Sequence, residues 1–323
     1  MPFRDAEDVL QRAVDSILEQ KIPFELVLVE NQDTESEIAR KLVMAHSNFK
    51  LVRETRRGIV HALNAGLAEC SGIYIARMDA DDEMISDRLY LQSKFLDENQ
   101  HIQLVSGRVI YRGIEMEAGG YSSYVDQLNS IQSPDEIFRY RFIESPLAHP
   151  SVMFRKSAID RYPLYREGDF PEDYELWLHW LEQYPYGMAK IQEDVLIWHD
   201  SEKRLSRNDL AYSEESFMKL RMDHFVRYVK KEHPGKPILI AGVGKKARKK
   251  IRIMQSAGLK IHAITDLRPR SFDQLPFIDW NALPEPGRYL LVSLVSNRGS
   301  WREIERHLSR FNYINESDYI LAT

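Results

Sequence analysis

The chain has 323 residues, 43% hydrophobic and 29% charged, with a net charge of −5. This is the composition of a folded globular protein of about two domains; it excludes a disordered chain and, with no apolar run near the roughly eighteen residues a bilayer span needs, a membrane-spanning helix. Cys70 is the one cysteine and excludes an internal disulfide, and an acidic, amphipathic N-terminal stretch without an apolar signal core points to the cytoplasm.

Apolar spacing predicts a helix over 5–20, capped by Asp5, with Ala6, Val9, Leu10, Ala13, Val14, Ile17 and Leu18 on one face. The near-continuous run FELVLVE (24–30) predicts a strand covered on both faces. A helix over 34–46, a strand over 49–52, a helical stripe of Ile59, Leu63, Gly66, Leu67 and Cys70, and a strand over 72–78 follow. Such alternation indicates an α/β unit with a mainly parallel sheet, and ligands of these sheets bind beyond the carboxyl ends of the strands. The pattern then loosens: a strand over 102–111, an irregular stretch over 113–150 holding a short helix near 135–141, and a strand over 152–154. Pro171 opens a helix over 172–183, and a long helix covers 209–232 until His233-Pro234-Gly235 breaks it.

The domain boundary is placed at that break. Residues 236–323 carry 15 Lys+Arg against 8 Asp+Glu, a net of +7, whereas residues 1–235 carry 29 against 41, a net of −12. Two units of different role are expected. The second reads as a small α/β domain, with strands over 237–241, 260–265 and 289–295 and helices over 245–257 and 300–311.

At the end of the 72–78 strand stands YIARMDADDE (74–83), with Asp79, Asp81 and Asp82 within four positions. Buried like charges are costly unless paired or bound to a cation. Acidic residues also favour a helix start, so the cluster taken alone is open to either reading. Two carboxylates at alternate positions can share one hard divalent cation, whose other ligands would be water and phosphate oxygens.

Four stretches in series, VLVENQDTES, RRGIVHALNAGLAECSGIYIARMDADDEM, HPSVMFRKSAID and FPEDYELWLHWL, resemble the family 2 glycosyltransferases, inverting enzymes of the GT-A fold. The resemblance covers roughly residues 2 to 210. It implies that Asp79 and Asp81 hold Mg²⁺ or Mn²⁺ against the diphosphate of a nucleotide sugar, with Asp82 a supporting residue or a helix cap. It makes Asp173 of the Glu172-Asp173 pair the base that takes the acceptor's hydroxyl proton, a role that typically contributes about 10²–10⁴-fold. In IWHDSEKRLS it makes His199 a further metal ligand or a phosphate contact, with Arg204 and Ser206 near phosphate oxygens. The donor's base falls to Glu30 and Asn31, where Asn31 departs from the family's usual Asp, and Arg57 and Asn64 line the donor site. The family also opens with a strand ahead of the first helix; here Met1-Pro2-Phe3-Arg4 enters at what would be the end of that strand, so the first strand is expected to be truncated.

In the second unit ILIAGVGKKARKKI is similar to a Rossmann phosphate loop, with Gly242, Gly244 and Ala247 as GxGxxA and Asp266 about twenty residues on. Six of the eight residues 245–252 are basic. Without an interleaved aromatic platform, and in an acidic protein, nucleic acid is not expected. A solvated helix face, an anionic membrane surface at the inner face of the membrane, or an acidic acceptor remain.

The expected molecule is therefore an α/β protein: a GT-A-type mainly parallel sheet flanked by helices over 1–235, and a small Rossmann-like domain over 236–323. Its expected activity is metal-assisted inverting transfer of a sugar from a nucleotide-diphospho-sugar, with UDP the default, to a hydroxyl of a glycan or lipid-linked acceptor in surface polysaccharide or lipopolysaccharide synthesis. A silent sugar-nucleotide-binding module and a sugar nucleotidyltransferase are the rivals, and a homo-oligomer stays open.

Overall fold

The structure is a computed structural model and describes residues 1–32, 35–113, 118–159, 164–200, 204–297 and 299–323. Of the stretches singled out above, residues 33–34, 114–117, Asp160 and 201–203 lie outside it. The chain forms two compact units, Met1–Ile137 with Pro146–Tyr212, and Phe138–Ser145 with Ser213–Thr323. The division thus falls at Tyr212/Ser213 rather than at residue 235. The long helix Glu214–Glu232 goes with the second unit because its first turn is ion-paired there, Glu214 with Lys246 at 2.5 Å and Glu215 with Lys249 at 3.0 Å.

The first unit contains β1 (Pro2–Phe3), α1 (Leu10–Leu18), β2 (Leu26–Glu30), α2 (Glu37–Ala45), β3 (Phe49–Arg53), α3 (Ile59–Glu69), β4 (Tyr74–Ala76), β5 (Glu83–Met84), α4 (Arg88–Glu98), β6 (Leu104–Arg112) and α5 (Ala118–Ser130). It continues through α6 (Pro134–Tyr140), which crosses into the other unit, to β7 (Met153–Arg155), α7 (Lys156–Ile159), α8 (Glu172–Gln183), β8 (Met188–His199) and α9 (Leu205–Asn208). Strands β1, β2 and β3 make one parallel sheet, and a mixed sheet runs in the order β4-β7-β6-β8-β5. Of the strand the resemblance expects ahead of the first helix, the two residues Pro2–Phe3 form β1, pairing Pro2 with Val29 and Phe3 with Glu30. Leu10, Val14 and Ile17 of α1 share a core with Leu28, Leu96, Val105 and Leu196. Helix α3 approaches β2 closely, for a Cβ on Gly66 would lie 3.0 Å from Val29 Cγ2.

Three expectations change. The first helix begins at Leu10 and not at Asp5, which adopts a left-handed φ of 48°, and a turn on the Ala6 carbonyl intervenes. The second begins at Glu37, where Ser36 accepts from Ala39 N–H. The stretch over 113–150 holds helix α5 as well as the short helix α6.

The second unit contains α10 (Glu214–Glu232), β9 (Ile238–Ala241), α11 (Lys245–Ser256), β10 (Ile261–Asp266), β11 (Phe277–Asp279), β12 (Leu290–Ser293), α12 (Ser300–Ser309) and β13 (Tyr319–Leu321). Its five strands are parallel in the order β11-β10-β9-β12-β13, so the order reverses between β9 and β12 beside the Gly242 turn. No helix among the described residues is long and apolar enough to cross a membrane.

Candidate active site

The acidic corner joins β4 to β5. Strand β4 is held against β7, and β5 against β8, so the turn between them is fixed at both ends. One carboxylate oxygen from each of Asp79, Asp81 and Asp82 falls within 4.8 Å of the others. Asp82 is fully buried; one of its oxygens accepts from His199 N–H at 2.9 Å, and the other has no hydrogen-bond partner. Burial, followed by the charges of Asp79 and Asp81, holds the Asp82 carboxyl well above the usual range, and burial with Asp79 raises Asp81 as well. Three crowded carboxylates with an orphaned oxygen are an oxygen-only donor set that suits Mg²⁺ or Mn²⁺. A helix cap does not explain the cluster: α4 starts at Arg88, and its cap is Asp87.

Cations surround this corner. Arg77 Nη1 lies 2.6 Å from Asp79 Oδ1. Arg12 donates to the Asp81 carbonyl at 2.8 Å, and the Arg204 guanidinium stacks over Trp198 at 4.6 Å and acts on both Asp81 and Asp82. The His199 ring is not gathered with the three aspartates; its Nε2 lies 2.6 Å from Glu83 Oε1, while its backbone N–H serves Asp82.

Residues that sequence patterns do not mark hold the corner in place. Arg88 is fully buried. It donates to the carbonyls of Pro150 and Arg77 at 2.8 Å each, to that of Val152 at 3.2 Å, and to Gln92 Oε1 at 2.9 Å. A buried Arg in a helix of otherwise ordinary pattern carries no periodic signal that separates it from a surface Arg. Burial brings its pKa down to about 9.

Glu172 and Asp173 open α8 directly after Pro171. Glu172 is buried, accepts from the Tyr212 hydroxyl, and faces His149 Nδ1 at 3.8 Å. The other nitrogen of His149 is 2.7 Å from the Tyr165 hydroxyl. Burial, then the neighbouring Asp173, pushes Glu172 up to about 7; burial pushes Asp173 up to about 6, against the Tyr174 N–H and the charge of Arg77. His149 is driven well below its ordinary value by burial and Arg77, so its ring is neutral.

Glu30 and Asn31 end β2. Glu30 is buried and accepts from Ser36 N–H at 2.5 Å. Asn31 donates to the carbonyls of Glu54 and Arg56 at 2.9 and 2.7 Å and accepts from Gly58 N–H at 3.1 Å. It therefore fastens the loop that leads into α3, a task an Asp could not perform because it has no donor. Asn64 donates to Tyr165 O at 2.8 Å, and Arg57 is exposed on the same loop as Gly58.

In the second unit Gly242 has φ +87°, and a Cβ there would lie 2.8 Å from Val295 Cγ2; at Gly244 it would meet nothing within 4 Å. Asp266 accepts from Val243 N–H at 3.3 Å and pairs with Arg270 at 3.1 Å. Of the six cations of α11, Lys246 and Lys249 are paired with Glu214 and Glu215, Arg248 donates to Val243 O at 3.2 Å, and Lys250 is buried. The basic run is thus largely engaged within its own unit.

The family model described as Glycosyl transferase family 2 matches residues 1–162. The O-antigen biosynthesis glycosyltransferase WbnJ of Escherichia coli is 28% identical over 215 residues, 65% of this chain and 81% of that protein. The UDP-Gal:alpha-D-GlcNAc-diphosphoundecaprenol beta-1,3-galactosyltransferase of Escherichia coli is 27% identical over 218 residues, 66% of this chain and 77% of that protein. Among solved structures, S. aureus TarS 1-349 is similar in fold, with a TM-score of 0.51 at 16% identity, covering 78% of this chain and 67% of that one.

Proposed function

The chain belongs to glycosyl transferase family 2 and is a glycosyltransferase of the GT-A fold; from that premise we propose that it transfers a sugar, with inversion and metal assistance, from a nucleotide-diphospho-sugar to a hydroxyl of a glycan or lipid-linked acceptor in surface polysaccharide synthesis. The observation that carries this reading is the Asp79-Asp81-Asp82 corner with its buried, unpartnered oxygen. The galactosyltransferase relative supports a uridine donor and a lipid-linked acceptor, and the O-antigen role of WbnJ supports surface polysaccharide synthesis.

Asp79, Asp81 and Asp82 would hold a divalent cation, which supplies charge neutralisation for a departing diphosphate. Asp173 takes the proton of the attacking hydroxyl, and its partly raised pKa keeps it ionised at neutral pH yet basic enough to accept. Tyr212 holds the Glu172 side chain beside it by a hydrogen bond, with the neutral His149 ring facing that carboxylate. Glu30, Arg57 and Asn64 line the donor's nucleoside, and Asn31 sets the loop that carries Arg57. His199, bonded to Glu83, orients that carboxylate at the rim of the corner. In the second unit Gly242 and Gly244 are proposed to receive a phosphate-bearing ligand where the strand order reverses. For an anionic membrane surface, Lys245 and Arg252 are the cations of α11 left outside the pairings described.

The test is a thermal-shift panel of UDP, GDP and CDP with and without Mn²⁺. Metal-dependent stabilisation by one diphosphate, erased in Asp81→Ala, is expected. Stabilisation that survives Asp81→Ala unchanged overturns the role of the corner.

A further inference from the structure

Helix α11 carries two stripes of cations with different surroundings. Lys246 and Lys249 meet Glu214 and Glu215 of α10, and Lys250 beside them is buried. Lys245, Arg248 and Arg252 stand at i, i+3 and i+7, on one side of the helix, and all three are exposed. Arg248 fixes where this second stripe leads. It donates to Val243 O at 3.2 Å and to Ser271 O at 3.5 Å, and its guanidinium lies 5.5 Å from the Phe272 ring. The stripe therefore borders the loop 267–271 that leaves β10.

That loop reads Leu-Arg-Pro-Arg-Ser, and each of its residues is exposed. Leu267 is 82% exposed. The loop is anchored at both ends: Phe272 is buried behind it, and Asp266 ahead of it accepts from Val243 N–H at 3.3 Å and pairs with Arg270 at 3.1 Å. Lys245, Arg252 and Arg268 form no ion pair among the described residues. The stripe and residues 266–273 together hold five cations, Lys245, Arg248, Arg252, Arg268 and Arg270, against Asp266 and Asp273, a net of +3.

We infer that this face of the second unit docks on an anionic bilayer, with the five cations over the headgroups and Leu267 in the boundary between headgroups and acyl chains. The inference deepens the membrane contact raised above and rests on it, but not on the transfer reaction. The exposed leucine selects the bilayer among the anions this charge could hold. A free phosphate or nucleotide is held by cations and backbone N–H groups and gains nothing from an apolar side chain standing in water. A bilayer rewards both, since anionic headgroups attract the cations and the boundary region takes up the apolar side chain. Single-stranded nucleic acid calls for exposed rings on which bases stack, and Phe272, the ring beside Arg248, is buried.

The test is sedimentation of the full chain with vesicles of phosphatidylcholine alone and of phosphatidylcholine with phosphatidylglycerol. Partition onto the anionic vesicles only, falling with added salt, is expected. Lys245→Gln, Arg252→Gln and Arg268→Gln should each lower it about fivefold, and Leu267→Ala about tenfold. Arg302→Gln, which removes an exposed cation of α12, should change it less than about twofold. All five positions are exposed, so the variants should melt with the unsubstituted chain. Losses in the cation variants with none in Leu267→Ala would leave a contact through α11 and overturn the docked loop. No binding to the anionic vesicles, or an equal loss in Arg302→Gln, overturns the loop and the α11 contact together. Competition by inorganic phosphate at constant ionic strength, or tighter binding of an oligoribonucleotide than of the vesicles, overturns the bilayer as the occupant.

Discussion

Replacing Arg88 by Met should destabilise the first unit by about 3–5 kcal/mol. The substitution strips the Pro150 and Arg77 carbonyls and Gln92 Oε1 of their donor, whereas Val152 O keeps the N–H of Arg77. Each buried acceptor left unpaired costs about 1–3 kcal/mol, so the gross loss is about 3–9 kcal/mol. Removing a desolvated guanidinium, whose burial is recorded in its lowered pKa, offsets part of this. The remainder is a large share of the ~5–15 kcal/mol that holds a domain together. Urea titration followed by the fluorescence of Trp177, Trp180 and Trp198 measures it, with an unchanged slope as the control for the denatured state. Arg88→Lys should lose nearly as much, because one ammonium cannot span carbonyls on both β4 and the turn before β7. A loss under about 1 kcal/mol in Arg88→Met would refute the view that this side chain ties the two segments.

Further expectations concern the site itself. Glu172 and Asp173 have folded pKa values near 7 and 6, above their unfolded values, so the folded state holds more protons and stability falls as pH rises from about 4 to about 7; thermal melts of Glu172→Gln should show a flatter slope in that window. The same ionisation gives kcat/KM an acid limb with a midpoint near 6, and Asp173→Asn should abolish transfer while UDP still binds, as calorimetry would show. Asn31→Asp should cost about 1–3 kcal/mol, visible as a lower melting temperature, because two carbonyls lose their donor and face a carboxylate instead. Chelation by EDTA should remove any stabilisation by UDP, and Asp82→Asn should retain less of it than the unsubstituted chain.

Three aspartates after a strand-forming run were open to a helix-cap reading as well, and it was the four motifs in series that made the family readable. What periodicity could not reveal are side chains whose role lies in three-dimensional partners. Nothing in the pattern marks Arg88 or Arg77, yet both are buried on backbone carbonyls or a carboxylate. Asn31 read as a departure from the family and is instead an amide whose two ends bind three backbone groups. Helix α5 was missed because residues 118–130 have no clear apolar stripe, and β8 because its exposed Gln192 and Glu193 interrupt an otherwise buried strand. The division into units was misplaced because the break at Pro234 ends a helix without ending a unit.

Residues 138–145 belong to the second unit although they lie within the stretch that encodes the first. Arg141 there is bonded to Glu316 at 2.9 and 3.0 Å, 175 positions later, and its guanidinium rests 3.5 Å over Phe138. A ribosome emitting this chain has therefore delivered nearly all of it before that arginine meets its carboxylate. Until then Phe138, Tyr140 and Phe142, with Arg139 and Arg141, await late-made partners such as Glu305 and Glu316, leaving an apolar early-made segment exposed. For the same reason, a cut at Tyr212/Ser213 leaves residues 138–145 of the second unit on the fragment that carries the first.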